Sequence, residues 1–501
     1  MGKLFDTMTK GFAIMRDFFE HTSLHGFRYI AEEERHRIER LLWTVLCLLS
    51  WIGSGMLFRA SYTAFQENSV SYGVERMILG ENTSCPSVSV CEYENVDVLY
   101  DRANELYGED HDNNLDEVLR ELTFFKGYAY YLKNVCNKDG IECPRGNFAG
   151  LARKVRTSCE GMFIECRLNG VEFDCCKHFM PIETELGTCF SFSERNEMKL
   201  KDKGEPDWFN TMVSSEHVKL PQLIVEFNPN VTFKVYLHSA YDVPYFNTLS
   251  SDIINPVINE AKFAYITIAG TENPPEVREL SVYQRKCRFH DENNLESADF
   301  YSYSACVVDC RRRAQMELCN CTSHFMPKTK TEEHCDYDGI ICLDKYYGYL
   351  SSPKGKYGGN NDLVCDCVSG CEDIDFNVVH LTQKDLPDFL FGRDVTSVQI
   401  KLLRHPNEKY RRIVVRGFLD LVVSIGGAAG LFLGASLLTI LEVTYYFLFR
   451  AHLSEQQDRT VHNPKQDEER PSDNDIKPQV AGNAILPLDH RSNNDTQNGK
   501  L

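Results

Sequence analysis

Between Phe418 and Phe447 the chain reads FLDLVVSIGGAAGLFLGASLLTILEVTYYF, and eight small residues, Gly426, Gly427, Ala428, Ala429, Gly430, Gly434, Ala435 and Ser436, lie within 11 positions of it. Gly426, Gly430 and Gly434 recur every four residues and so share one face of a helix. Such a stripe lets helices approach closely. It also suits a narrow passage where several copies surround an axis. In that case Gly434, Ala435 and Ser436 would leave helical geometry and aim backbone carbonyls at an ion. The two readings do not exclude each other. Asp420 and Glu442 stand near the two ends of the run, where carboxylates suit cation entry and exit.

The second group able to do chemistry is the cysteines. There are 20, and all but Cys47 fall between Cys85 and Cys371. Thiols at that density signal disulfides formed in an oxidising compartment. A metal-binding reading of the C-x-C and C-x3-C spacings is weaker, because few histidines accompany them. The net charge of −19 argues against nucleic acid, which needs a basic surface.

Both groups must be positioned by longer elements. Leu41 to Phe58, LLWTVLCLLSWIGSGMLF, is 18 residues without a charge, about 27 Å as a helix and close to the hydrocarbon thickness of a bilayer. About 40 polar residues precede it, so it is expected to be retained as a signal anchor rather than cleaved. Lys3, Lys10, Arg16, Arg28, Arg35, Arg37 and Arg40 lie before this span and few basic residues follow it, which places the N-terminus in the cytosol. The basic residues Lys401 to Arg416 before the second run point the other way, but long translocated domains largely ignore this rule. The cysteines and the sequons at Asn82, Asn230 and Asn320 agree with an extracellular middle. The expected organisation is a cytosolic segment (1–40), a first transmembrane helix (41–62), an extracellular cysteine-rich domain (63–415), a second transmembrane helix with a selectivity filter (416–449) and a disordered cytosolic tail (450–501). Strand-like runs (QLIVEF, VTFKVYL, KFAYITIAG, VTSVQIKLLRH) and helix-like runs (NLDEVLRELTFF, SACVVDCRRRAQMEL) predict an α+β middle domain.

Several motifs together resemble the degenerin/epithelial sodium channel superfamily, and most of all its insect pickpocket branch. They are His25-Gly26 before the first span, Pro86 to Cys91 (PSVSVC) just after it, Phe173 to Phe192 ending in C-F-S-F, the spacing Cys306-x3-Cys310-x8-Cys319-x-Cys321 with its downstream cysteines, and Ser424 to Glu442 (SIGGAAGLFLGASLLTILE). The resemblance covers roughly residues 20–447. It implies a β-sheet palm with a helical thumb and finger, as in acid-sensing channels. It also implies a trimer in the plasma membrane around a sodium-permeable, amiloride-sensitive pore, with both termini cytosolic. No cofactor is implied beyond the permeant sodium ion. Gly434, Ala435 and Ser436 would be the filter, and His25 and Gly26 would line or brace the cytosolic vestibule. Seven disulfides are implied: Cys91–Cys189, Cys159–Cys166, Cys287–Cys371, Cys306–Cys367, Cys310–Cys365, Cys319–Cys342 and Cys321–Cys335. That leaves Cys85, Cys136, Cys143, Cys175 and Cys176. Cys136 and Cys143 are near enough in sequence to pair, and the adjacent Cys175 and Cys176 are expected to bond elsewhere than to each other.

Val423 falls where the family's degenerin position usually holds a small residue, so a bulky side chain there implies altered closure. Ser424 replaces an acidic residue of the acid-sensing relatives, which weakens any proton-sensing assignment. No nucleophile elbow, zinc helix or phosphate-cradling loop is found, so no enzymatic activity is expected. The leading expectation is a channel subunit, homotrimeric or assembled with related subunits, gated through its ectodomain by a stimulus that the sequence does not identify. An external ligand is one such stimulus. The alternatives are a non-conducting auxiliary subunit and a membrane-anchored receptor without its own pore.

Overall fold

The computed structural model describes residues 15–32, 34–76, 86–137, 143–201, 220–327, 334–353, 362–385, 395–404 and 408–450. The sequon at Asn82, the thiol of Cys85, most of the N-terminal segment before residue 15 and the tail after residue 450 lie outside these. The chain forms two compact units, one within Met1–Ser54 and Ala428–Leu501, the other within Gly55–Gly427.

Helix α1 (Arg37–Glu67) extends the 18-residue apolar run at both ends and is long and apolar enough to cross a membrane. Leu41, Leu42, Leu48, Leu49, Ile52 and Met56 are all exposed on it, the reverse of a helix buried in a soluble core. The second apolar run is not one straight helix. It is a pair, Phe418–Leu433 and Leu437–Phe449, bent by 68° at a short break, and the two reach the length and hydropathy of a span only when taken together.

The Gly55–Gly427 unit is α+β. Its large sheet runs in the order β1 (Val70–Arg76), β15 (Glu408–Val414), β10 (Glu260–Glu272), β14 (Thr396–Leu402), β7 (Gln222–Phe227), β3 (Phe163–Leu168) and β4 (Val171–Phe173), with β13 (Asp375–Asp385) also paired to β10. A second sheet has the order β5 (Met180–Thr184), β6 (Gly187–Phe192), β2 (Ser87–Glu94), β8 (Thr232–His238) and β9 (Ile253–Ile254), and β11 (Cys287–Arg288) pairs β12 (Ser369–Gly370). The alternation read from QLIVEF is real: Leu223, Val225 and Phe227 are buried and the residues between them half-exposed, as a strand with one face on a core requires. They join Phe163, Leu168, Phe179, Phe192, Ile266 and Ile400 in the largest core.

Helices cover the rest of this unit. In α2 (Val96–Tyr107) the Asn95 side chain caps the first turn by accepting from the Val98 N–H at 3.2 Å. In α3 (Asn114–Thr123) the buried residues Leu115, Val118, Leu119 and Leu122 repeat at helical spacing. Val118, Leu119 and Leu122 pack with residues of α4 (Tyr130–Val135) and α5 (Phe148–Val155) into two clusters. Helix α6 (Tyr303–Cys319) starts at a Ser302 cap and stops where Asn320 turns left-handed, with φ 56°. Cys306 and Cys310 sit four residues apart on it, hence on one face, and bond to Cys367 and Cys365. Cys319–Cys342 and Cys321–Cys335 tie its far end toward α7 (Tyr337–Lys345), and Cys287–Cys371 joins the β11–β12 pair. Cys91 and Cys189 are register partners on β2 and β6 and are bonded. Cys136 bonds Cys143.

One expected pairing is corrected. Cys159 does not bond Cys166; Cys159 bonds Cys176 and Cys166 bonds Cys175. The cause is local geometry. In the β3–β4 hairpin Cys166 stands opposite Phe173, so the chain leaving β4 returns beside it. There Asp174 caps a single turn, Cys175–His178, by accepting from the Cys176 and Lys177 N–H groups. Successive residues in such a turn point about 100° apart, so the adjacent cysteines reach different partners. Among the described residues nine disulfides form and Cys47 is the one free thiol.

Candidate functional site

The break in the second apolar run falls at Gly434, Ala435 and Ser436. Helix α8 (Phe418–Leu433) ends because Gly434 adopts φ +62°, a left-handed conformation that only glycine takes without strain. Its N–H still reaches the Gly430 carbonyl at 3.1 Å, and the Ala435 N–H reaches Ala429 at 3.2 Å. Ser436 then opens helix α9 (Leu437–Tyr445) with a reciprocal cap: its hydroxyl accepts from the Thr439 N–H, and the Thr439 hydroxyl accepts from the Ser436 N–H. Three residues thus serve as stop, link and start. No described residue donates a hydrogen bond to the carbonyls of Gly434 or Ala435, so both keep their full acceptor capacity.

The segment around His25 and Gly26 closes on this break. The His25 N–H donates to the Leu433 carbonyl at 3.1 Å, satisfying one of the acceptors a helix end leaves open. Its imidazole lies over Gly434 so closely that a Cβ there would come within 2.5 Å of the ring. Gly26 has φ +87°, and a Cβ on it would meet the Cys47 sulfur of α1 at 2.4 Å. The dipeptide therefore needs glycine for two reasons, backbone angle and close approach. Ser23 extends the contact, with its hydroxyl 3.0 Å from that of Thr439 and donating to a Glu442 carboxylate oxygen at 2.7 Å. The Ser50 hydroxyl of α1 donates to the Phe432 carbonyl. Below these, Phe18 is buried against the rings of Tyr446 and Phe447, and the Tyr446 hydroxyl donates to Asp17.

The structure thus brings His25, Gly26, Gly434, Ala435, Ser436 and Glu442 together in one unit. Asp420 and Val423 belong to the other. Asp420 accepts from the Gly417 N–H at 2.8 Å at the start of α8, a capping role as well as a carboxylate near a span end. Val423 is exposed on α8. Ser23, Ser50, Thr439 and the Phe18–Tyr446 contact were not singled out from sequence. The S-x-x-T pattern of Ser436 to Thr439 was a readable cap signal; the others link positions about 380 to 430 apart and leave no local signature.

In the Gly55–Gly427 unit, Asn230 and Asn320 are both exposed. Buried His324 and half-buried Asp373 are among the groups there shifted far from their ordinary values. Burial pushes His324 down to about 4; its ring sits among Phe125, Phe148 and Phe325, with Nε2 at 2.8 Å from the Leu122 carbonyl. Burial, reinforced by the charge of Asp242, pushes Asp373 up to about 6. Among the described residues no group of acidic, histidine and cysteine side chains is arranged to hold a metal ion.

With this geometry in hand, similarity to known proteins is informative. The profile of the amiloride-sensitive sodium channel family matches residues 18–446. The chain is 24% identical to the sodium channel protein Nach of Drosophila ananassae over 86% of each chain. It is 21% identical to pickpocket protein 28 of Drosophila melanogaster, covering 89% of this chain and 80% of that one. Acid-sensing ion channel 2 of Rattus norvegicus is 24% identical, over 86% of this chain and 85% of its own.

Proposed function

Because the chain belongs to the amiloride-sensitive sodium channel family, we propose that it is a pore-forming subunit of a sodium-permeable, amiloride-sensitive channel at the plasma membrane. In this reading α1 and the bent pair are its two membrane spans, both termini are cytosolic, and the disulfide-rich domain is extracellular and takes the gating stimulus. Three subunits, identical or related, surround the passage. Like its family, it is an ion channel subunit and not an enzyme.

One observation carries the reading: the helix break at Gly434–Ser436, where the Gly434 and Ala435 carbonyls accept from no described residue and a histidine packs on the glycine. Backbone oxygens aimed into a passage between copies would replace the hydration shell of a small cation. An exposed apolar α1 and a bend at membrane depth are tolerated together only where the irregular backbone is buried in protein or lines water. Exposed Asn230 and Asn320, with Asn82, would carry glycans on the extracellular side.

The test is whole-cell current from the chain expressed alone, with sodium outside, before and after amiloride, and with surface protein measured in the same cells. An amiloride-sensitive current that Gly434→Asp abolishes at unchanged surface level is the expected result. Surface protein without current would overturn the self-sufficient pore and favour a silent auxiliary subunit.

A further inference from the structure

A cavity of about 270 Å³ in the Gly55–Gly427 unit opens between β2, β8 and the segment that follows α3. Three cationic side chains line it, Lys126, Arg156 and Lys234, and a single carboxylate, Glu92. That carboxylate is already engaged: one oxygen accepts from the Thr157 hydroxyl at 2.6 Å and the other from the Thr157 N–H at 3.1 Å. Neighbouring Glu94 is paired with Arg120 at 3.0 Å. Neither lysine forms an ion pair with a described carboxylate. Their ammonium groups instead share one aromatic ring, lying 3.9 Å and 4.0 Å from the centroid of Tyr93. Two like charges held on one ring repel each other, and a ring quadrupole offsets only part of that.

Arg156 adds a third, deeper positive charge. Among the described residues its guanidinium donates to backbone carbonyls, at Thr123, Leu186 and Thr188, so its geometry is fixed, and the carboxylates of Glu92 and Glu183 act on its charge through space. Burial pulls it down to about 10, still protonated at neutral pH. The Lys126 hydrogen bond and charge hold the Tyr93 phenol below its ordinary value. In a chain of net charge −19, three cations against one carboxylate around one cavity run against the general field. The remaining wall is apolar and aromatic, from Phe124, Phe125, Tyr236, Phe246 and Ile253. The volume is far larger than an inorganic anion needs, and an apolar wall with a few convergent charged groups is the usual make-up of a small-molecule site.

We propose that this cavity binds a small organic anion, a carboxylate on a flat apolar body, with the acid group held by Lys126 and Lys234 and the body against the Phe124–Phe246 wall. Such a ligand would join strands of the five-stranded sheet to the helical region after α3. The site is independent of the channel reading and stands or falls on binding alone.

The experiment uses the full chain in phosphatidylcholine nanodiscs with 4-fluorobenzoate as probe and 4-fluorobenzamide as its neutral match, both followed by 19F line broadening. The benzoate should bind at least tenfold more tightly than the amide. Lys126→Gln with Lys234→Gln should weaken the benzoate at least tenfold and leave the amide unchanged, while Lys126→Arg with Lys234→Arg keeps benzoate binding. Equal binding of the two probes, unchanged benzoate binding in the glutamine variant, equal loss in the glutamine and arginine variants, or no benzoate binding by the wild type would each overturn the assignment.

Discussion

Around Cys306 and Cys310 the chain is held by covalent rungs; around Gly434 it is held by one left-handed glycine, two capping hydroxyls and an imidazole. In the first region α6 carries four-residue spacing that turns two cysteines to the same side, and bonds to Cys367 and Cys365 lock that side in place. Nothing there depends on a special backbone angle until Asn320. In the second region no contact is covalent: backbone hydrogen bonds are joined by side-chain contacts that a single substitution would remove. Under the proposed function the difference suits a lever and a gate. A part that transmits an external stimulus must not deform, whereas a part that opens must have contacts weak enough to exchange.

The largest break in that comparison should come from one methyl group. Gly434→Ala places a Cβ within 2.5 Å of the His25 ring on a backbone at φ +62°, and we expect more than about 90% of the current to be lost at normal surface expression, since strain of a few kcal/mol moves a two-state equilibrium this far. Adding His25→Ala relieves the clash but not the backbone strain, so the double variant should recover current only in part. Full recovery would assign the glycine requirement to the ring alone.

The covalent region should instead fail in stability. Replacing Cys321 and Cys335 by serine opens a loop of 14 residues and should remove about 3 kcal/mol, seen as a fall of roughly 4 °C in the apparent Tm of the solubilised protein. An unchanged Tm would mean that packing of α6 against α7 suffices without the rung.

Acid sharpens the comparison within the middle domain. His324, at about 4 in the fold against an ordinary 6.5, takes its proton more readily when unfolded. Its contribution is therefore complete above 6.5 and is lost as pH falls toward 4. Asp373, at about 6 against 3.8, has the opposite sign: the folded carboxyl protonates first, so the fold gains stability as pH falls from 6 to 3.8. Each effect is on the order of 2–3 kcal/mol, and they largely cancel. Thermal unfolding at pH 7.4 and 5 should show His324→Gln gaining and Asp373→Asn losing relative to the wild type at the lower pH. The same sign in both variants would refute this assignment.

The smallest effect is the helix restart. Ser436→Ala removes the cap on α9, costing about 1 kcal/mol, which should quicken hydrogen exchange at Thr439 and Ile440 about fivefold. No change would show that the Thr439 side of the cap is sufficient.

Much of the covalent region was legible in the sequence, because cysteine spacing within a known pattern carries its pairing. The Cys159 pairing was not, since it turns on which way two adjacent residues face in a single helical turn after a hairpin. The strands were legible from period-two runs such as QLIVEF. In the second apolar run, length and the small residues allowed a break, and glycine marked where, but a bend of 68° needs the backbone angles. The packing of His25 on Gly434 joins residues about 400 apart, and only the family resemblance had put both in one site.

In the proposed pore the Gly434–Ser436 break determines which ions pass. Its most direct test is the reversal potential of the whole-cell current as external potassium replaces sodium, compared among the wild type, Ser436→Ala and Val423→Ala. The wild type should be sodium-selective, Ser436→Ala should shift the reversal toward equal permeability, and Val423→Ala should change the size of the current but not its reversal. A Ser436→Ala current reversing where the wild type does, or a shift shared equally with Val423→Ala, would contradict it.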